Sequence, residues 1–154
     1  MLNIHGKYII NITIPTMFNI YNFTTTNHNL VTNEGLELIL KCVTNTNDGE
    51  YFGYVHVGTN NRTPQKTDTI ETFDEPNALE NSTLDFNINQ VIYNVTTDGS
   101  NLDGTSEIGV WSNKNTLISR DVHDEYSIPH GSQINIKYIF TLTNTKEEEN
   151  SEDD

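Results

Sequence analysis

An antiparallel β-sandwich with one α-helix packed on it, at about residues 33–44, is the fold class this sequence predicts. The segment 134–143, INIKYIFTLT, sets Ile134, Ile136, Tyr138, Phe140 and Leu142 in strict alternation with Asn135, Lys137, Ile139, Thr141 and Thr143. That is the period of a strand with two unlike faces. Most of the remaining chain consists of short β-branched and aromatic runs separated by Gly, Pro, Asn and Asp. One stretch departs from this pattern: in VTNEGLELILKCV, residues 31–43, the apolar residues recur at helical spacing.

The first strand is expected over Lys7 to Ile14, where β-branched and aromatic residues dominate and Pro15, which lacks an amide hydrogen, stops the ladder. It is expected near a sheet edge. A second strand is weaker, over Phe18 to Phe23, and the Thr and Asn cluster at 24–29 reads as a loop. In the helix, Leu36, Ile39, Leu40 and Val43 form one stripe with Glu37 and Lys41 opposite. Thr32 or Asn33 caps it, Glu34 complements the dipole, and Gly35 lies in the first turn. A helix of three turns is marginal alone, so the stripe is expected to lie against the sheet or against a neighbouring subunit.

Asn47-Asp48-Gly49 marks a turn, and YFGYVHV at 51–57 is a strand running into Gly58. Residues 59–83 hold two prolines and few apolar residues, a length that suggests a functional loop. Leu84, Phe86 and Ile88 alternate on one parity and Val91, Tyr93 and Val95 on the other, which a bulge near Gln90 would explain. Turns follow at Asp98-Gly99 and Asp103-Gly104, then short strands at 107–111 and from Leu117.

With 154 residues the chain fits one β-rich domain, 1–144, followed by a tail, 145–154. Asn and Thr each make up about a seventh of the sequence, a mixture suited to strands with one wet face and equally to an AT-rich gene. Asp and Glu number 22 against 8 Lys and Arg, a net charge of −14, which argues against nucleic acid as a partner. The tail KEEENSEDD has no apolar residue and is expected to be disordered. Truncation after Thr145 should therefore leave the thermal melt unchanged at physiological salt. The single cysteine, Cys42, cannot close an internal disulfide, and no apolar run approaches the length of a membrane span. Five Asn-x-Ser/Thr matches, at Asn11, Asn22, Asn61, Asn81 and Asn94, are what chance gives in so Asn- and Thr-rich a chain.

Catalytic and cofactor motifs are not evident, and no cofactor is expected. The histidines, 5, 28, 56, 123 and 130, lack zinc spacing. His123-Asp124-Glu125 is the closest approach to a metal site, but adjacent residues of an extended segment point apart. Asp98 to Gly104 lacks the third ligand and the distal Glu of a calcium loop. His56, between Val55 and Val57, reads as a structural histidine, and Gly58 and Gly109 as sites of tight backbone geometry.

One series of motifs carries a resemblance. In order they are T-N-x-G-L at 32–36, V-G-T at 57–59, Pro64 with Asp68-Thr69, E-I-G-V-W at 107–111, L-I-S-R at 117–120 and the terminal alternating strand. The series resembles structural proteins of tailed bacteriophages, in which similar modules attach fibres or build collars and baseplates. It departs from the pattern at Asn60, where a second glycine is usual, and at Ile70-Glu71; no long fibre sequence follows. The resemblance implies a non-enzymatic virion component, assembled in a host cytoplasm, that acts as a small adaptor, collar, fibre-attachment or decoration subunit. Its partners would be other virion proteins and copies of itself, with no membrane involved. The alternative is a receptor- or carbohydrate-binding module of the virion, taking a host-surface glycan. Tyr51, Tyr54, Asn60, Arg62, Phe73 and Trp111 are the candidate interaction surface. An exposed aromatic platform would favour the alternative, and a large apolar intersubunit face the adaptor.

Overall fold

The computed structural model describes residues 2–15, 20–80 and 82–144. Nine strands and one α-helix follow in the order β1 (Leu2–Pro15), β2 (Ile20–Val31), α1 (Asn33–Val43), β3 (Phe52–Gly58), β4 (Asn77–Leu79), β5 (Ser82–Phe86), β6 (Gln90–Asp98), β7 (Glu107–Ser112), β8 (Leu117–Val122) and β9 (Gln133–Asn144). All neighbours pair antiparallel in the order β4-β3-β7-β8-β2-β1-β9-β6-β5. The sheet doubles over at β2, so that two layers face each other. Tyr8, Ile10, Tyr93, Val95, Ile134, Ile136, Tyr138 and Phe140 from one layer meet Val55, Val57, Leu79, Ile108, Val110 and Ile118 from the other in one core. The mainly β sandwich with one helix is therefore the fold, and the alternation of the last strand does place Ile134, Ile136, Tyr138 and Phe140 inside.

The hinge between the layers is narrow. Strand β2 pairs with β1 from Gly6↔Asn29 to Pro15↔Ile20, but meets β8 only at Leu30↔Arg120 and Val31↔Ser119. The Thr and Asn cluster at 24–29 is thus strand and not loop: Thr is β-branched, and pairing with β1 absorbs the Asn backbone groups. Strand β1 is not at an edge, since β9 pairs along its other side from Leu2↔Asn144 to Thr13↔Gln133. The parity switch near Gln90 is no bulge. Residues 87–89 turn the chain and β5 and β6 form a hairpin, with Phe86 opposite Val91. The 59–83 segment also contains more structure than expected: a 3₁₀ turn at Ile70–Thr72, the edge strand β4 and the start of β5. The acidic tail lies outside the described residues.

The helix forms where expected but buries a different face. Thr32 is its cap: its Oγ1 accepts from the Gly35 amide at 2.9 Å and donates to the Leu117 carbonyl at 2.5 Å, while its own amide donates to Ile118 O. The cap is fully buried and ties the first turn to β8. A Cβ on Gly35 would lie 2.3 Å from the Ile118 carbonyl oxygen, so glycine sets the close approach of helix and strand. The buried helix residues are Gly35 and Leu38; Leu36 is 40 % exposed, Leu40 66 % and Val43 79 %, with Ile39 half-buried. The docking side is decided by the Thr32 and Gly35 contacts with β8 rather than by the apolar stripe. Glu37 and Lys41 form an i,i+4 ion pair at 3.2 Å on the surface. Among the described residues no helix is long and apolar enough to cross a membrane.

Candidate functional site

The motif residues converge on one place. Arg120, in the middle of β8, has an entirely buried side chain and would be untenable there without partners. Its Nε donates to Glu107 Oε2 on β7 at 2.9 Å. One terminal nitrogen donates to Asp68 Oδ2 at 3.1 Å and to the Arg62 carbonyl at 2.9 Å, and the other to the Asn60 carbonyl at 3.1 Å. Glu107 is equally saturated, its Oε1 accepting from the Asn60 and Asp74 amides at 3.0 and 2.9 Å. Asp68 accepts from the Gln65 amide at 2.9 Å and from Arg62 Nη2 at 3.3 Å. Two guanidinium groups thus meet two carboxylates, and the segment between β3 and β4 is strapped across the sheet by charge-assisted hydrogen bonds.

Aromatic rings continue the strap. Trp111 lies flat on His56, with centroids 3.9 Å apart and planes within 6°, and receives the edge of Phe73 at 5.4 Å. Phe73 also sits 5.9 Å beneath the Arg120 guanidinium. Gly109 makes room for this packing: a Cβ there would lie 2.3 Å from the Ser119 carbonyl oxygen and 2.9 Å from the Phe73 ring.

Of the six candidate surface residues, only some face solvent. Tyr51 and Tyr54 are exposed, at 61 % and 48 %, and Arg62 extends outward from its contact with Asp68. Trp111 and Phe73 are buried, and Asn60 is half-buried, with its side chain donating to the Thr72 carbonyl at 2.6 Å. An indole on an alternating strand can face either way. Here the folded-over 59–76 segment covers it, so Trp111, Phe73 and Asn60 do not form an exposed platform. Asp68, Glu107 and Arg120 stand within the motif series, but the sequence alone assigns them no role. For Glu107 and Arg120 the signal is a charge inside a mostly apolar strand, EIGVW and LISR; Asp68 carries none.

Two of the histidines, His56 and His123, are held by ring stacking and backbone contacts. His56 Nδ1 lies 3.2 Å from the Tyr54 carbonyl, and His123 stacks on Tyr126 at 3.9 Å with its Nδ1 2.8 Å from the Asp124 carbonyl. No group of three His, Cys, Asp or Glu side chains is placed to hold a metal ion among the described residues. Burial pushes the pKa of both His56 and His123 below the ordinary value of 6.5. The unfolded chain therefore takes up protons first as pH falls. Their contribution is intact above about pH 6.5 and is lost progressively as pH drops toward the folded values. Thermal melts from about pH 7.5 to about 5.5 should show this loss, and the double variant His56→Gln, His123→Gln should show a flatter profile. An unchanged slope would mean that other groups govern the window.

The second feature is an exposed apolar face. The helix stripe, Leu36, Ile39, Leu40 and Val43, lines a groove of about 880 Å³ with Ile4, Leu142 and Lys66. A second groove, of about 330 Å³, shares Ile4, Ile39 and Leu142 and continues along Phe52, Val91, Phe140 and the hairpin residues Phe86 and Ile88. No family model, curated protein or solved structure matches this chain.

Proposed function

We propose that this protein is a structural component of a tailed-bacteriophage virion, a small adaptor, collar, fibre-attachment or decoration subunit that works by assembling with other virion proteins. The observation that carries the reading is where the motif series falls in the fold. Thr32 and Gly35 seat the helix, Gly58 and Asp68 shape and hold the strapped segment, and Glu107, Gly109, Trp111 and Arg120 form the framework beneath it. The charged residues within the motif series, Asp68, Glu107 and Arg120, spend their polar groups on internal contacts, which suits a role in building a framework for assembly. The exposed apolar face beside α1 supports the adaptor reading, because contact with a neighbouring subunit would cover it.

In this role the protein is no enzyme, and its place is the particle, assembled in the host cytoplasm. The test is to purify particles from cells that make the protein and follow it through a density gradient. Co-migration at a constant ratio to the other virion proteins is expected. Absence from particles would overturn the reading. Tyr51 and Tyr54, both exposed, are what favours the receptor- or carbohydrate-binding alternative. Binding of the isolated protein to a glycan array, abolished by Tyr54→Ala, would promote it.

A further inference from the structure

We infer that the groove between α1 and the β5–β6 hairpin is a self-association surface, closed by the same face of a second copy of this chain. The inference deepens the assembly reading by naming a partner and rests on it for its setting, though its test needs no virion.

Size is the first argument. Leu36, Leu40, Val43, Phe86, Ile88 and Leu142 all stand exposed around the two connected grooves, each at 40 % or more. So many large apolar side chains gathered on one exposed face are the mark of an interaction surface, unlike the scattered single residues of an ordinary protein exterior. Hydrophobic side chains at i, i+3, i+4 and i+7 are one face of a helix made to be covered, and the chain's own sheet covers the other.

Charge decides who covers it. A protein of net charge −14 repels its own copies over most of its surface. The grooves are lined by no carboxylate: His5 and Lys66 are the titratable groups among the lining residues. Two copies meeting face to face about a two-fold axis would bury apolar surface without opposing acids, and each would present the same patch to the other. A basic partner would instead be drawn to the acidic surfaces elsewhere.

Sedimentation velocity of the full chain across the micromolar range is the test, with Leu40→Glu and Val43→Glu as the variants, both at exposed positions. The expected result is a reversible dimer that tightens as salt rises, because salt screens the repulsion between copies. Each variant should weaken it by more than roughly tenfold, with the melting temperature unchanged at concentrations where the wild type is monomeric. Ile88→Glu, on the hairpin at the far end, gives the same reading from an independent element should a helix variant melt early. Tyr51→Ala, outside the grooves, should leave the dimer intact. A wild-type monomer throughout the range, or a dimer indifferent to the groove variants, would overturn the inference. So would a groove occupied by a different virion protein whose binding weakens with salt. A dimer in solution that never enters particles would sink the virion reading alone.

Discussion

Replacing Arg120 with Met is expected to destabilise the protein by about 3–5 kcal/mol, the cost of leaving buried carboxylates without their counter-charge. Methionine keeps much of the side-chain volume, so the loss reports charge and hydrogen bonding more than a cavity. Glu107 and Asp68 are 0 % and 4 % exposed and would lose Arg120 contacts of 2.9 and 3.1 Å, and the Asn60 and Arg62 carbonyls would lose their donor. Urea unfolding measures the loss directly. Trypsin gives a local reading, because Arg62 and Lys66 lie in the strapped segment and cleavage there should accelerate more than unfolding as a whole. Removing both acids as well, in Asp68→Asn, Glu107→Gln, Arg120→Met, should recover part of the stability, since the residual penalty is then polar rather than ionic. A single variant that loses less than about 1 kcal/mol would show that the cluster is solvated and not a strap.

Leu38→Ala should cost about 2–5 kcal/mol and Leu40→Ala less than about 0.5 kcal/mol, although the two lie half a turn apart on the same helix. Leu38 is 2 % exposed and belongs to the main core, so its truncation removes buried apolar surface. Leu40 is 66 % exposed in the isolated chain. The comparison is best made in denaturant melts at low protein concentration, where self-association does not contribute. Equal losses would mean that the stripe is covered from within the chain after all.

This helix shows what the sequence could and could not reveal. Its position, cap and dipole charges are local properties, and Thr32, Glu34 and the 3.6-residue period reveal them. Periodicity also identifies an apolar stripe, but it does not say whether the cover is the same chain or another. The face that docks is set by Gly35 against the Ile118 carbonyl, a contact between residues far apart in sequence. Strand β9 was legible because both its faces differ. Strand β2 was not, because Thr and Asn serve loops and paired strands alike, and only the ladder with β1 decides between them. The ion cluster was half legible. Charges inside apolar strands mark Glu107 and Arg120, but Asp68 is 52 residues from Arg120 and resembles any other surface acid until the fold joins them. The fate of Trp111 depends on the same closure, since only the strapped segment distinguishes a buried indole from a binding platform.

The pairing of β1 with β9 also dictates a schedule. The register joins Leu2 to Asn144, so β1 is synthesised well before one of its two neighbours, which lies at the far end of the described chain. At about 5–20 residues per second, β1 waits on the order of ten seconds for that partner. Meanwhile it has only β2, which directly follows it, and the nascent hairpin must carry an unsatisfied edge through most of synthesis. Because β9 sits between β1 and β6, this side of the sheet stays incomplete until β9 is made, and the non-local pairing it supplies is of the kind that slows folding.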